Sequence, residues 1–442
     1  MRGCRYQQSW QRYGGYDMTL SEHNIFTRQM EYGHYLIYLP LSKYARILTQ
    51  EQVNNLTDSV EKSEQAEDPA VTEVLANVKP TQQSNVYITE HSVTGIRNMM
   101  ILPNNVCNFK CTYCYSAEGR SGKTIDSDKL KSALCYFLDS NRVPGERLTI
   151  SILGGGEPLL SWDLVKDSLD LAYSLAEKRG HKLPVSIVTN GSILTDEIVD
   201  YLRSHEISLS VSFDILPEIQ NMQRGHYETV VENINRFTNA GIDLAFNTVI
   251  TCENVGRMDE MLHTIAANTP KVKKVSFKSL ISNNYFKDAD ERRKYYRDFV
   301  DNFFKALDLA KQLGIWLTSP YFNNALCLSD RFCPGKFVVT SDGDISICHC
   351  VGSRKDRLYN DFIFGHITAD GNVAIDEEKL EKILSHDHNR NERCKDCIAH
   401  WHCAGGCYAD NSTIGDNEES QNAYCESMRY FIERYICKFI LK

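Results

Sequence analysis

The chain has 442 residues, 42% of them apolar, enough for two or three domains with cores of their own, which excludes a mainly disordered chain. Its 49 basic residues against 58 acidic ones leave a net charge of −9, so no global field favours a polyanion and nucleic acid is not an expected partner. The opening MRGCRYQQSW lacks the apolar core of a signal peptide, and no run approaches the roughly 20 apolar residues of a membrane span. The expected location is cytoplasmic, with no membrane partner; thiols stay reduced there, and the 16 cysteines are expected to serve metal binding or catalysis rather than disulfides.

Residues 1–90 read as a small α+β module. The run HYLIYLPLSKYARIL suits one or two short strands, and TQEQVNNL then opens a helical pattern. An acidic, polar stretch follows to Lys79 and Pro80, which mark a helix end and a linker, with a boundary expected near residues 86–93. From Ile96 the texture alternates. IRNMMILP, RLTISIL, PVSIVTN, SLSVSFD, DLAFNTVIT and KKVSFKSL read as strands, each followed by a loop and a helical pattern. Six β/α units in succession imply parallel strands with right-handed crossovers. The predicted fold is α/β, a partial (β/α)6 TIM-like barrel over residues 91–315, with a doubly wound sheet as the alternative. Either gathers ligands at the carboxyl ends of its strands. After Ile315 the alternation stops. Residues 316–442 form a cysteine-rich C-terminal domain with little apolar material outside KFVVT and RYFIERYICKFIL, so metal sites are expected to staple it.

Cys107, Cys111 and Cys114 fall in CNFKCTYC, directly after the first barrel strand. Three thiolates hold three corners of a four-iron cubane and leave its fourth iron free of protein; a zinc knuckle short of one ligand is the plainer alternative. The C-x3-C-x2-C spacing, with the aromatic Tyr113 before the third cysteine and β/α units throughout, resembles the radical S-adenosylmethionine superfamily. That resemblance implies that S-adenosylmethionine chelates the open iron, and that one electron then releases a 5′-deoxyadenosyl radical which abstracts hydrogen from a substrate. It also implies cofactor contacts at successive strand ends. Gly155, Gly156 and Glu157 in GGGEP would meet the methionine amino group, and Arg224 in NMQRG its carboxylate. Asn190 in TNG, with Ser212 and Asp214 in VSFD, would face ribose or substrate. Ile215 departs from the pattern, which often has glycine after that aspartate, and leaves the local contact open. Taken singly, GGGEP suits a turn, Asn190 a helix cap and Arg224 a surface position.

In the tail, CKDCIAHWHCAGGC spaces Cys394, Cys397, Cys403 and Cys407 as C-x2-C-x5-C-x3-C, which in isolation fits one structural zinc as well as anything else. With Cys327, Cys333, Cys348 and Cys425 added, the set resembles the SPASM extension found on a subset of radical S-adenosylmethionine enzymes. The resemblance implies two auxiliary clusters, one on Cys327, Cys333, Cys348 and Cys407, the other on Cys394, Cys397, Cys403 and Cys425. Three [4Fe-4S] clusters in all would serve radical generation, electron transfer and support of the fold, and would make the protein oxygen-sensitive. The spacing after Cys333 favours Cys348, with Cys350 two residues beyond as the other candidate. Cys4, Cys135, Cys252 and Cys437 read as ordinary thiols, and His349, His400 and His402 as cluster neighbours or substrate contacts.

SPASM enzymes largely modify peptides or proteins. In sulfatase-maturing enzymes an aspartate base follows the third cysteine of the first auxiliary set; His349 holds that place here, and histidine can take a proton at neutral pH. Those enzymes begin close to their three-cysteine loop, whereas about 100 residues precede it in this chain. Maturases of ribosomally made peptides open with a small winged-helix-like domain that binds the precursor's leader, and YLIYLPLSKYARILTQEQVNNL is similar to such an opening. Strand addition would be the physical mode, with simple capping of the barrel as the other reading. The expected function is therefore a peptide maturase that installs an intramolecular thioether or carbon–carbon cross-link in a precursor peptide, served by a reducing partner such as flavodoxin or ferredoxin. Formylglycine formation is the alternative. A non-catalytic iron–sulfur or zinc scaffold is the second, and the intact cysteine triad beside GGGEP speaks against it.

Overall fold

The computed structural model describes residues 18–143, 147–281, 285–389, 391–415 and 417–441, so Cys4 lies outside the described residues. Strands β1 (Phe26–Gln29), β2 (His34–Leu39) and β3 (Tyr44–Thr49) form an antiparallel sheet in that order. Thr49 starts the helix Gln50–Lys62 with a reciprocal cap, Gln52 N donating to Thr49 Oγ1 at 3.3 Å and Thr49 N to Gln52 Oε1 at 3.0 Å. Asp68 caps the helix Pro69–Ala76 through Ala70 N and Val71 N. Ile37, Leu48, Leu56, Val71 and Val74 close a small core distinct from the main one.

Strand β4 (Val86–Tyr87) follows, and then the six expected units: β5 (Asn98–Ile101), β6 (Thr149–Ile152), β7 (Val185–Thr189), β8 (Ser208–Ser212), β9 (Leu244–Ile250) and β10 (Lys274–Ser279). Each pairs in parallel with the next in sequence order. That order excludes the doubly wound arrangement, in which strand order reverses at a switch point. A seventh parallel strand, β11 (Trp316–Thr318), lies where the alternation had been expected to stop. Three residues at a sheet edge, with Trp316 63% exposed, carry too little pattern to be read from sequence.

The tail is not a separate layer. After β12 (Leu328–Ser329), which pairs with β4, strand β13 (Phe337–Val339) joins β5 in parallel. β14 (Asp344–Ser346), β15 (Ile363–Ile367) and β16 (Val373–Ile375) add on in antiparallel fashion, giving an open 11-stranded sheet from β11 to β16. The expectation of a core-poor tail is corrected: Ile345, Phe364, Leu380, Trp401, Phe431 and Ile436 belong to the same core as the barrel. Phe431 and Ile436 come from the apolar run of the last helix, whereas Ile345, Phe364, Leu380 and Trp401 lie outside any long apolar run and are buried by packing into the barrel's core. The helix Glu418–Phe439 seals this contact, Phe431 meeting Phe303 and Phe304 of the helix Ala289–Gln312 at ring-centre distances of 5.6 and 4.9 Å. Among the described residues no helix is long and apolar enough to cross a membrane.

Strand alternation prepares the site. Ile150, Ile187, Val211, Phe246 and Phe277 are buried on the face that packs into the main core. Their alternates Ser151, Ser186, Ser210, Ser212, Asn247 and Ser276 are small, polar and half-buried on the other face. Bulky branched residues fill the interior of a closed barrel. Small ones on an open sheet leave a concave face accessible instead.

Candidate active site

The cysteine loop leaves β5 and is held by the neighbouring strand ends. Gly156 N donates to Asn104 O at 3.0 Å and Glu157 N to Val106 O at 2.7 Å, which lays GGGEP against the entry to the loop. A Cβ on Gly156 would stand 1.8 Å from the backbone oxygen of Val106, so a side chain is excluded there, while one on Gly155 would stand 2.2 Å from Asn105 Oδ1 and would displace that side chain. Glu157 is 2% exposed and accepts from Thr189 Oγ1 and Asn190 N at 2.7 Å each and from Leu159 N at 3.1 Å. Its carboxyl, pushed above the usual range by burial, thus braces the ends of β6 and β7. Asn190 Nδ2 in turn donates to Asn108 Oδ1 inside the cysteine loop at 2.8 Å. Asn104, Asn105 and Asn108 carry this framework and escaped notice in the sequence, although three asparagines around the first cysteine are a turn signal.

Tyr113, Asp214 and Arg224, expected separately, form one buried unit. Tyr113 OH donates to the two Asp214 oxygens at 2.7 and 2.6 Å, and Arg224 Nη1 donates to the Tyr113 oxygen at 3.1 Å. Burial pushes the Asp214 carboxyl up to about 6, against the pull of Arg224. Burial also raises the Cys111 thiol, again opposed by Arg224. Arg224 Nε is buried without a partner, a donor free for an anion. Ile215 takes the left-handed conformation that glycine would supply, φ +68°, with its side chain fully buried. That is a strained turn for a β-branched residue. Ser212 ends β8, half-buried.

The tail thiols come from five segments. Cys333, Cys348 and Cys407 share the field of Lys336 and Arg331. Cys397 has Cys394, Cys425 and Arg429 beside it, and Cys403 stands near Tyr424. Cys327 is exposed at the end of the helix Pro320–Leu326, with Tyr435 in its field. Among the described residues the one set of three or more metal-type ligand atoms within 4.8 Å of one another is Cys348, His349 and Cys350. Thiolates around a single zinc would stand about 3.8 Å apart, so the expected four-cysteine sets are spread too widely for one ion. The Cys348 thiol is pulled below its usual range, first by a hydrogen bond from Cys350 and then, against burial, by Lys336 and Arg331, while Cys350 is pushed well up. Cys135 and Cys252 are exposed and Cys437 half-buried.

Two further groups close the space between loop and tail. Tyr115 donates to Gly154 O at 3.1 Å and meets His349 edge-on at 5.8 Å. Burial and two lysines, Lys336 and Lys278, hold His349 well below its usual range, so its ring is neutral, and its Nδ1 has no partner. His400 Nδ1 lies 2.7 Å from Cys394 O and His402 Nδ1 3.2 Å from Cys327 O, beside the cysteines they were expected to flank, and their rings also meet the N-terminal sheet. Phe26 stacks on His400 at 5.7 Å, Tyr38 OH bonds His402 Nε2 at 2.9 Å, and Trp401 Nε1 donates to Asn24 Oδ1 at 2.7 Å. These three consecutive residues dock the N-terminal sheet onto the tail.

Comparison with known proteins matches residues 101–265 to the Radical SAM superfamily and residues 332–398 to SPASM, an iron–sulfur cluster-binding domain. The chain carries a radical SAM domain and a SPASM domain. A cysteine-type anaerobic sulfatase-maturating enzyme of Clostridium novyi is 21% identical over 377 residues, 77% of this chain and 96% of the relative. Among solved structures, native anSMEcpe with bound AdoMet superposes with a TM-score of 0.60 at 20% identity, covering 77% of this chain and 97% of its own. Streptococcus suis SuiB bound to precursor peptide SuiA gives 0.52 at 15% identity, covering 90% and 97%. A radical SAM domain implies S-adenosylmethionine and a four-iron cluster, and a SPASM domain auxiliary clusters. The donor chemistry fits. Each thiol group has a cation at hand for anionic ligands: Arg120, whose Nη2 is 3.3 Å from Cys114 Sγ, and Arg224 at the loop; Arg331 and Lys336 at Cys333, Cys348 and Cys407; and Arg429 at Cys397. The orphan Nε of Arg224 suits the methionine carboxylate.

Proposed function

We propose that this radical SAM protein is a maturase of a ribosomally made peptide, closing a thioether or carbon–carbon cross-link inside its precursor. One observation supports the choice within the peptide- and protein-modifying class: the sheet β1–β3 has a core of its own, and among the described residues its β3 edge pairs with no strand, so a leader could add on there. The match to SuiB spans 90% of the chain against 77% for anSMEcpe, in keeping with a part that the sulfatase-maturing relatives lack.

Cys107, Cys111 and Cys114 would hold the radical-generating cluster, which with S-adenosylmethionine supplies hydrogen abstraction. Arg224, fixed by Tyr113 and Asp214, would orient the methionine carboxylate, and Gly155 and Gly156 would let the backbone approach its amino group. Glu157 and Asn190 keep the loop in register. Two auxiliary clusters, on Cys327, Cys333, Cys348 and Cys407 and on Cys394, Cys397, Cys403 and Cys425, would take the second electron, and flavodoxin or ferredoxin would deliver the first. His349 would be the proton acceptor at this site, and its buried Nδ1 has no partner among the described residues.

Formylglycine formation stays as the second reading, because the Clostridium novyi relative aligns over 96% of its length. Anaerobic holoenzyme with S-adenosylmethionine and a strong reductant is expected to form 5′-deoxyadenosine, and a peptide from a short reading frame beside the gene to lose two hydrogens by mass spectrometry. No deoxyadenosine from wild type would end the enzyme reading. Conversion of a sulfatase-derived Cys or Ser peptide to an aldehyde would replace the cross-link with formylglycine.

A further inference from the structure

Two histidines stand between the N-terminal sheet and the turns that carry expected cluster ligands. His402 is 4% exposed, and its Nδ1 lies 3.2 Å from both Asn324 O and Cys327 O. A carbonyl can only accept, so Nδ1 carries a proton; burial pushes the ring's pKa down to about 4, which leaves it neutral with Nε2 as acceptor. Tyr38 of β2 therefore donates its hydroxyl to Nε2, at 2.9 Å. One ring thus spans from the sheet to the end of the helix Pro320–Leu326, where Cys327 stands and the last carbonyls need donors. His400 repeats the arrangement at the other ligand set. Its Nδ1 donates to Cys394 O at 2.7 Å, while Phe26 of β1 stacks on its ring. A further tie runs through the stretch after β4: Thr89 N and Oγ1 donate to the Asp330 carboxylate at 3.0 and 2.8 Å, and Asp330 lies midway between Cys327 and Cys333. His388 Nδ1 donates to Asp330 O at 2.8 Å, and its ring meets that of His400 edge-on at 4.4 Å.

The turns so held have little regular structure of their own. Pro320–Leu326 is a helix of seven residues, and Glu392–Lys395 and His400–Cys403 are helices of four, too short to keep their shape by internal hydrogen bonds alone. Donors from outside must fix them. We propose that His402 and His400 are positioning residues: with the N-terminal sheet docked on them, they hold the turns of Cys327 and Cys394 in the shape that the auxiliary clusters require. The sheet then steadies both cluster sites, and by linkage a loaded cluster steadies the docked sheet. This rests on the two ligand sets of the proposed function and extends them from the thiols to the residues that set the thiols in place.

The test compares anaerobic, cluster-loaded wild type with His402→Ala, His402→Asn and Tyr38→Phe. The readouts are iron content, the rate of iron loss to a chelator, and the electron paramagnetic resonance of dithionite-reduced protein. Alanine leaves the carbonyls at the helix end without their donor, so about a third of the iron should leave about tenfold faster, the scale of one unsatisfied buried group. Asparagine puts an amide N–H close to where the ring Nδ1–H stands and should keep the rate within about threefold of wild type, with Tyr38→Phe between the two. The resonance of one cluster should change in His402→Ala, while the signal that responds to S-adenosylmethionine stays as in wild type. Iron-depleted wild type should exchange amide hydrogens faster in β1 and β2. Equal release from the alanine and asparagine variants would reduce the ring to packing and overturn the proposal, as would an acceleration shared by all the iron or unchanged exchange on iron removal. If His402→Ala fails to load, Tyr38→Phe carries the test, and release at the wild-type rate overturns the proposal. Wild type that binds iron for three clusters and shows none of these effects sinks the positioning role alone; iron for one cluster sinks the ligand sets on which it rests.

Discussion

The loop of residues 107–114 and the thiols between Cys327 and Cys425 both gather sulfur, by opposite means. The loop draws its three cysteines from eight consecutive residues, and its shape is imposed by neighbours: Gly156 and Glu157 bond to its entry, and Asn190 to its middle. The tail draws on five separated segments, which the shared core and the sheet bring together. A local motif supported by adjacent strand ends should fail alone when it is damaged. A site whose ligands interleave along the chain should lose more than the residue that was removed.

The largest effect expected from this contrast is the triple change of Cys107, Cys111 and Cys114 to Ala. Deoxyadenosine formation should vanish while roughly two thirds of the iron stays, because the tail does not depend on the loop. Loss of nearly all iron would show instead that loop and tail are one cooperative unit. Gly156→Ala is the next largest. Its Cβ meets backbone at 1.8 Å, so the loop must move, and a displacement near 1 Å can cost about 100-fold in rate. Iron in the tail should be unchanged, and a rate within threefold of wild type would mean that the loop has slack the structure does not show.

On the tail side, Cys348→Ala should lower iron by about a third and loosen the second auxiliary set as well, visible as a lower and broader thermal transition. Cys350→Ala should keep both. The reverse outcome would hand the ligand position to Cys350. Back at the loop, Asp214 offers a smaller, pH-dependent test. Its pKa in the folded protein is about 6 against 3.8 for the free carboxyl, so the folded state binds more protons between pH 4 and 6 and stability falls as pH rises through that window. The difference of about 2.2 units corresponds to about 3 kcal/mol. Asp214→Asn should flatten that slope in denaturant titrations, and an unchanged slope would place the titrating group elsewhere.

What the sequence disclosed follows the same division. The six strands, the three-cysteine loop and GGGEP are runs of adjacent residues, and adjacency is what a sequence displays. β11 is three residues at an edge and left no period to read. The Tyr113–Asp214–Arg224 unit spans 111 positions, so its members were named without their bonds to one another. His400 and His402 stand beside Cys394 and Cys327, the kind of neighbour the spacing suggested, but their contacts with Phe26 and Tyr38 are ones a pattern of spacings cannot reveal.

The smallest effect tests to which side the N-terminal module belongs. Asn24 accepts from Trp401 Nε1 at 2.7 Å, and its backbone sits at φ +59°, so alanine would add strain while glycine removes the side chain alone. Asn24→Gly should therefore cost one hydrogen bond, about 1 kcal/mol, or about fivefold in the population of undocked module. Faster hydrogen exchange should appear in β1 and β2 and in residues 400–403, because those are the surfaces in contact. The cysteine loop makes none of these contacts. An equal rise of exchange in residues 107–114 would mean that the module is coupled to the loop as strongly as to the tail, and that the two sulfur regions are less independent than their construction implies.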